Sequence, residues 1–212
     1  MKNVKYLGVL SLLLCLTFIS ISCKKDKDPE PVQKTVEDNG LTKDINDLVP
    51  ADVLAEMENL GMPINRGGTP PPLNGIFLGS KFILKNSNIP EDFIGYRYPD
   101  FKVQFTAFNQ YNLSVQLDYV NKFESGSGLG AFIVGKGDAF SVFAEVESEK
   151  EFENATFAYV ISGSIVNDTI RDMHVANFML DNNDNPNLIW IENGEGRILY
   201  DKDGDSERIE SL

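Results

Sequence analysis

Carboxylates that alternate near the end of the chain have the spacing best suited to binding a metal ion. Four side chains form this series: Asp201, Asp203, Asp205 and Glu207. Carboxylate oxygens are ligands that Ca²⁺ prefers, but an EF-hand loop beginning at the first of them would lack the glycine and glutamate needed at its sixth and twelfth positions. The Asp203-Gly204 pair instead predicts a two-residue turn with Tyr200 opposite Glu207. We therefore expect a hairpin and no metal site, with calcium as the alternative.

Acid–base catalysis would have to use carboxylate pairs, because the chain has a single histidine, His174, and no metal centre built from several histidines is possible. Two pairs lie close together in the sequence: Glu91 with Asp92, and Glu145 with Glu147. They could serve a glycoside hydrolase if their carboxyl groups stood about 5 to 10 Å apart. With 32 acidic residues in the chain, a solubilising surface explains such pairs more simply. We expect no enzyme and keep a carboxylate hydrolase as the less favoured alternative.

An aromatic segment over residues 89–99 is the best candidate for ligand binding. Four of its side chains could contact a ligand: Phe93, Tyr96, Arg97 and Tyr98. Aromatic rings in such a segment stack on a sugar or cover the mouth of a barrel, while Arg97 and Asp92 could form hydrogen bonds to the ligand. The same rings could instead fasten a loop onto the core.

The elements that must position this segment are mainly strands. Apolar and polar residues alternate over residues 101–107 and 113–119, and the residues between them suit a hairpin loop. Further strands are predicted over residues 75–84, 129–135, 139–147, 156–165, 170–180, 188–191 and 197–201. About eight or nine strands in succession, with no helix between them, predict a mainly β fold: an antiparallel meander closed as a barrel or, alternatively, folded as a sandwich.

One short helix is predicted before the strands, over residues 50–60. Pro50 suits its start and Gly61 its end, and the apolar stripe between them includes Leu54 and Met57. A helix of this length is not stable alone, so its stripe must dock on another surface. That surface could belong to the strands or to a partner such as an outer-membrane protein.

The first and last strands carry residues that resemble those of the lipocalin-like (calycin) barrels. Gly75-Ile76-Phe77 stands where that family has Gly-x-Trp on its first strand, and Arg197 could stand for the late arginine that packs over the ring. Phenylalanine replaces the tryptophan, and the only tryptophan, Trp190, is near the other end of the chain. The resemblance implies an up-and-down barrel and carries no ligand with it.

The first 22 residues have the three parts of a secretory signal peptide: two lysines, an apolar run and a small-x-small end. The run, about 17 residues, is shorter than the roughly 20 that a bilayer core requires. Ser20-Ile21-Ser22-Cys23 resembles the lipobox of bacterial lipoproteins, with Ser20 in place of the usual aliphatic residue. This implies that Cys23 is acylated and anchors the chain in a lipid bilayer. An ordinary signal peptidase could also cut at this site.

Charged residues and prolines after Cys23 are typical of a solvated tether. Lysine and acidic residues at this place also resemble the surface-lipoprotein signals of Bacteroidetes. We therefore expect an outer-membrane lipoprotein, on the cell surface or the periplasmic face. The expected segments are a signal peptide (1–22), a lipidated cysteine with its tether (23–40), a helix with a Pro/Gly linker (41–72) and a β-domain (73–212).

Composition excludes several partners and cofactors. The chain has 19 basic and 32 acidic residues and a net charge of −13, and loss of a signal peptide with two lysines would leave −15. Such a charge opposes nucleic-acid binding, because phosphates attract clusters of Lys and Arg. Cys15 in the signal and Cys23 are the only cysteines, so the domain has no disulfide and no cysteine-bound zinc or iron–sulfur cluster. No cofactor is expected.

The function is predicted from the expected location in the cell envelope and from the expected fold. We expect a cell-envelope lipoprotein whose non-catalytic β-domain binds a small apolar ligand or a glycan, or alternatively a structural or accessory subunit of an outer-membrane protein complex. A pocket would favour the first, and a filled interior with an exposed apolar patch the second. Asp168-Thr169-Ile170 also resembles the acceptor of Bacteroidetes O-glycosylation, which implies Thr169 as a glycosylated residue.

Overall fold

The fold is mainly β, with one sheet of many strands and a helical region near its start. A computed structural model of the chain describes residues 33–122, 125–150 and 152–212. The predicted signal peptide, Cys23 and most of the predicted tether lie outside the described residues. Within the described part, no helix is both long enough and apolar enough to cross a membrane.

Two helices and eleven strands follow one another in the described residues. The helices are α1 (Lys43–Leu48) and α2 (Ala51–Asn59). The strands are β1 (Gly68–Thr69), β2 (Gly75–Gly79), β3 (Phe82–Ser87), β4 (Phe101–Asn109), β5 (Ser114–Val120), β6 (Ser125–Lys136), β7 (Ala139–Lys150), β8 (Glu153–Val166), β9 (Thr169–Asp181), β10 (Gly196–Asp201) and β11 (Asp205–Ile209).

Eight strands of the described residues form a closed hydrogen-bonded ring. Each strand from β4 to β9 pairs with the next in antiparallel fashion, β2 pairs with β4, and β11 pairs with both β9 and β2. The strands β3 and β10 continue β2 and β11 beyond the ring, and β1 lies beside β6 in a parallel pair. The predicted antiparallel order of strands is therefore confirmed.

A bend separates β2 from β3, and a second bend separates β10 from β11. β2 and β3 are joined across residues 80–81 and β10 and β11 across residues 202–204, with β3 paired to β10 and β2 to β11. At the bend the Lys202 amide donates to the Lys81 carbonyl (3.2 Å), and the Lys81 ammonium binds the Asp203 carboxylate (2.7 Å). The two bends therefore lie side by side and are joined by these bonds.

The predicted hairpin about the Asp203-Gly204 turn is wrong. Tyr200 lies opposite Ile83 and His174, and Glu207 lies opposite Leu78, so β10 and β11 do not pair with each other. The physical reason is that a two-stranded hairpin leaves both outer edges without hydrogen-bond partners. Closing the ring satisfies both edges of the last strand.

Both faces of the sheet are buried over β6 to β10, which gives the protein two apolar cores. The core inside the ring contains large side chains from all around it: Phe77, Phe101, Phe105, Tyr119, Phe140, Tyr159 and Ile161. The core outside the ring lies between the helices and the sheet, and its strand residues include Val134, Phe143, Val160, Phe178 and Ile198. Successive residues of a strand point to opposite faces, so β8 is buried almost continuously and does not alternate.

The predicted helix is confirmed as α2, but its apolar stripe is not available to a partner. Leu54 and Met57 are 9% and 0% exposed and pack on the outer face of the sheet. Of the two surfaces on which the stripe could dock, it therefore packs on the strands. The helix α1, before it, was not predicted; it begins after Thr42, whose hydroxyl accepts a hydrogen bond from the Ile45 amide (3.3 Å).

The segments on either side of the helices are bonded to the sheet and are more ordered than a tether and a linker. The Lys34 amide donates to the Tyr111 carbonyl (2.7 Å), so the chain is already bound to the β4–β5 turn before Gly40. After α2, the Asn65 amide donates to the Ser141 hydroxyl (2.8 Å). The folded part of the chain therefore begins earlier than its composition indicated.

Two strand predictions need correction. The segment predicted over residues 75–84 is divided by the bend into β2 and β3, and the segment over 188–191 is irregular. In the second case the Asn185 side chain binds the backbone of Trp190 in both directions, donating to its carbonyl (2.7 Å) and accepting from its amide (3.0 Å). The Trp190 backbone groups are thus used within the loop and cannot pair with a strand.

Candidate functional site

A cavity of about 230 Å³ lies at the end of the ring where β4 begins and β5 ends. Strands β8, β9 and β10 form one of its walls, and the residues just before β4 form the other. Its main lining residues are Tyr98, Phe101, Tyr159, Val175, Asn177 and Leu199. A partly open cleft of apolar and aromatic side chains with a few polar groups is typical of sites that bind small molecules.

The wall of the cavity is built by two neighbouring rows of side chains across the sheet. In the first row the register pairs Tyr159 with Asn177, and Asn177 with Arg197. In the second row Val175 pairs with Leu199. The rows are two residues apart along β9 and β10, so both point to the inner face of the sheet.

Aromatic rings fill the interior beside the cavity. Between ring centroids, Phe82 lies 5.7 Å from Phe101, Phe101 lies 5.4 Å from Tyr119, and Tyr119 lies 4.9 Å from Tyr159. These side chains come from β3, β4, β5 and β8, so the contacts cross the interior from one side to the other. The ring of strands therefore has a packed core with a small cavity at one end.

The aromatic segment between β3 and β4 is held in place by an ion pair. Arg197 donates two hydrogen bonds to the Asp92 carboxylate, from Nε (2.7 Å) and from Nη2 (2.8 Å), and the Ser87 hydroxyl donates a third (2.6 Å). Burial by itself would raise the pKa of Asp92, but the hydrogen bonds from Arg197 and Ser87 outweigh it and the pKa lies below its ordinary value. Asp92 is thus a structural anion and is not available to a ligand.

The same segment also covers the free edge of β3. The Gly95 amide donates to the Leu84 carbonyl (2.8 Å), the Leu84 amide donates to the Tyr96 carbonyl (2.9 Å), and the Tyr98 amide donates to the Phe82 carbonyl (2.9 Å). Covering an edge strand in this way prevents it from pairing with another chain. The pairing also brings Tyr98 to the cavity.

Of the four predicted ligand-binding residues, the structure places one in the cavity. Tyr98 lines it, whereas Phe93 and Tyr96 are 76% and 57% exposed and do not line it. Arg97 is also exposed and lines an adjoining outer groove of about 640 Å³, which shares Tyr98 with the cavity. The segment is therefore both a wall of the cavity and an exposed aromatic surface.

Sequence reasoning missed the residues of the opposite wall. Asn177 is a polar residue within an apolar strand, between Ala176 and Phe178, and its side chain lines the cavity. Its Oδ1 atom is buried and has no hydrogen-bond partner in the part of the chain that the structure describes. The feature of the sequence that could have indicated this wall was a polar residue at an inward-facing position of an apolar strand.

The alternating carboxylates near the chain end do not converge on a metal site. Asp203 binds Lys81, Asp205 binds Arg171, and Asp201 accepts a hydrogen bond from the Ser206 hydroxyl (2.7 Å). Burial raises the pKa of Asp201 above its ordinary value. Over the described ranges, no group of three His, Cys, Asp or Glu side chains is placed to hold a metal ion.

The carboxylate pairs proposed for acid–base chemistry do not line the cavity either. Asp92 is bonded to Arg197, and Glu91 is exposed beside it. Glu145 and Glu147 are exposed residues of β7. None of the four is among the residues that line the cavity.

The single histidine lies outside the cavity, as a packed residue of β9. The His174 ring stacks on Tyr200 at 5.8 Å, and its Nε2 atom is 3.0 Å from the Lys85 ammonium, which also donates to the Gly61 carbonyl (2.8 Å). Burial, and after it the charge of Lys85, lowers the pKa of His174. The histidine therefore links β9 to the end of α2 and takes no part in the candidate site.

Thr169, the predicted O-glycosylation residue, begins β9 after a two-residue turn. Val166 pairs with Thr169, and the two residues between them have positive φ angles, as the predicted turn requires. Asp168 is exposed and Thr169 is half-buried, at the end of the ring opposite the cavity. Glycosylation stays a prediction.

Comparison with known proteins gives no relative: no protein-family model, no curated protein and no solved structure matches this chain.

Proposed function

We propose that the protein is a cell-envelope lipoprotein whose mainly β domain is a lipocalin-like barrel that binds a small apolar ligand or a glycan without chemistry. The observation that carries the proposal is the cavity at one end of the ring, with walls of aromatic and apolar side chains. The acids of the described residues lie elsewhere or are bonded to cations, which favours binding over hydrolysis.

Three features favour a barrel over a sandwich. The strand pairing closes on itself, with the first strand of the ring bonded to the last. Phe77 is buried inside, and the guanidinium of Arg208, its direct partner on β11, lies 5.7 Å from its ring. Gly75 has a φ of +127°, which favours glycine, and the Arg208 side chain lies directly over it. In a lipocalin-like barrel, Arg208 would be the better candidate for the role that the resemblance assigned to Arg197, because Arg197 binds Asp92.

Binding in the cavity is tested by filling it. We expect toluene or methyl β-glucoside to cause saturable amide shifts at Val175 and Leu199 in NMR spectra, because these residues line the cavity. Leu199→Phe should weaken binding at least about fivefold, since the larger ring would occupy the ligand volume. Leu188→Phe, at an exposed leucine, is the matched control and should bind as the wild type does. Binding that is unchanged in Leu199→Phe, or no saturable shift with either probe, would contradict the proposal.

Lipidation is tested at the two cysteines, which form a matched pair. Cys23→Ser should abolish the acylated amino-terminal peptide in mass spectra and release the protein from membranes of a bacterial host that processes lipoproteins. Cys15→Ser should leave both unchanged, because that residue would be discarded with the signal peptide. An unmodified Cys23 at the mature amino terminus would contradict the lipoprotein assignment.

An accessory role on an outer-membrane protein is the second candidate, and exposed apolar residues support it. Phe93, Ile94, Phe152 and Leu188 are 76%, 51%, 97% and 83% exposed. They lie on three connections at the cavity end of the ring. Lys34, near the start of the described residues, lies at the opposite end beside Tyr111, so a tether leaving from there would point these residues away from the bilayer.

A further inference from the structure

The outer groove lies on the outside of the ring and has apolar side chains in its wall. The strand pairing places Lys102 of β4 between Leu78 of β2 and Val120 of β5, in one row across the sheet. Phe101 and Val103, on either side of Lys102 in the chain, are buried inside the ring, so this row faces outward. All three residues of the row line the groove, whose volume of about 640 Å³ is typical of sites that bind small molecules.

Cations are concentrated in the outer groove although the protein as a whole is acidic. Arg97, Lys102 and Lys122 line it, whereas Asp100 is the single acidic side chain among the lining residues. The net charge of the chain is −13, so an excess of cations at one place is unlike the rest of the surface. Such an excess produces a local positive potential that attracts anions.

Two of these cations are not neutralised by the protein itself. Elsewhere cations are paired with carboxylates, as Lys81 is with Asp203 and Arg171 is with Asp205. Over the described ranges, however, neither Arg97 nor Lys102 forms an ion pair. Both side chains can therefore bind a ligand anion without first breaking an ion pair of the fold.

We infer that the outer groove binds an organic anion with an apolar body. Its carboxylate is held by Arg97 and Lys102, and its body lies against Leu78 and Val120. A guanidinium can donate two parallel hydrogen bonds to a carboxylate, and an ammonium adds a second positive charge. The apolar body is removed from water at the same time, so the two parts of the ligand contribute together. This site is outside the ring and goes beyond the binding proposed for the cavity.

The experiment compares four probes on the full mature chain. Hexanoate has the charge and the body, 1-hexanol has the body alone, hexylammonium has the opposite charge, and acetate has the charge with almost no body. Binding is followed by amide shifts in NMR spectra at Leu78 and Val120, which line the outer groove and not the cavity. We expect hexanoate to bind at least about fivefold more tightly than each of the other three.

Salt provides a second measurement. An increase in NaCl from about 20 mM to about 500 mM should weaken hexanoate binding at least about threefold, because the cations of the groove are open to solvent and are screened. The same increase should leave 1-hexanol binding unchanged or slightly tighter. A structural role of the two cations would not produce this difference between the probes.

Variants test the two cations separately from the apolar wall. Lys102→Met and Arg97→Leu should each weaken hexanoate about threefold and leave 1-hexanol unchanged, because only the charge loses its partner. Lys136→Met, at an exposed lysine of the β6–β7 turn at the other end of the ring, is the matched control and should change neither. Leu199→Phe, which fills the cavity, should also leave hexanoate binding in the groove unchanged. Amide spectra report whether each variant remains folded.

The outcomes separate this inference from the proposed binding in the cavity. Equal binding of hexanoate and 1-hexanol, or unchanged hexanoate binding in the double variant Arg97→Leu/Lys102→Met, would overturn the inference. Acetate that binds as tightly as hexanoate would overturn the role of the apolar body. The absence of saturable hexanoate shifts at Leu78 and Val120 would overturn it as well, while saturable shifts at Val175 with toluene would leave the cavity proposal intact.

Discussion

Replacing Met57 with alanine is expected to lower the free energy of unfolding by about 3 kcal/mol. Met57 is fully buried between α2 and the outer face of the sheet, and removal of a buried methionine side chain leaves a cavity that the surroundings fill only in part. Alanine is a good helix former, so the loss would report packing and not helix propensity. Urea unfolding followed by circular dichroism measures the change.

The control for Met57 is on the same helix. Ala55 is exposed, and Ala55→Ser should change the free energy of unfolding by less than about 0.5 kcal/mol. A similarly small loss for Met57→Ala would mean that the helices do not depend on the sheet for their position. A large loss would show that the outer core is part of the cooperative fold. The apolar stripe of α2 would then be needed for stability and would not be free to bind a partner.

Replacing Arg197 with leucine is expected to cost about 3 kcal/mol of stability at neutral pH. The substitution leaves the Asp92 carboxylate, whose side chain is 12% exposed, without its cation. The double variant Asp92→Asn/Arg197→Leu should recover part of the loss, because no unpaired charge is then buried. Arg97→Leu, at an exposed arginine of the same segment, is the control and should have little effect.

The effect of Arg197→Leu should also depend on pH. The pKa of Asp92 in the folded protein lies below its ordinary value of 3.8, so the stability from the pair is present above that pH and is lost as the pH falls through the folded-state pKa. Wild type and variant should therefore differ most at neutral pH and converge in strong acid. A difference that is independent of pH would contradict a role for the carboxylate charge.

The local features of the fold could be predicted because short-range signals carry them. Alternation predicted β4 and β5 and their connecting loop, and the apolar stripe closed by Gly61 predicted α2. The helix α1 was missed because its six residues contain too few turns for a visible period, although Thr42 is a suitable cap. The strands β8 and β9 were predicted, but the burial of both their faces was not. Apolar and polar residues no longer alternate when both faces of a strand are covered.

Only one wall of the cavity, the one formed by the aromatic segment, could be predicted from the sequence. The aromatic segment was identified from its rings, and Tyr98 does line the cavity. Which ring points inward depends on the pairing of residues 95–98 with the edge of β3, and no local pattern reports that pairing. Asn177 and Leu199 join the site through the register of β9 and β10, which brings together residues far apart in sequence.

The sequence alone determined the mainly β class of fold and the antiparallel succession of strands β4 to β9, since these depend on residue types and on periods of a few residues. The tertiary structure alone decided how the last strand is used. A local turn at Gly204 predicted a hairpin, but closure of the ring gives both edges of that strand a partner. The same closure places Arg208 over Phe77 and frees Arg197 to hold Asp92. Long-range hydrogen bonding thus overrides a local turn preference, and it also decides which residues form the cavity.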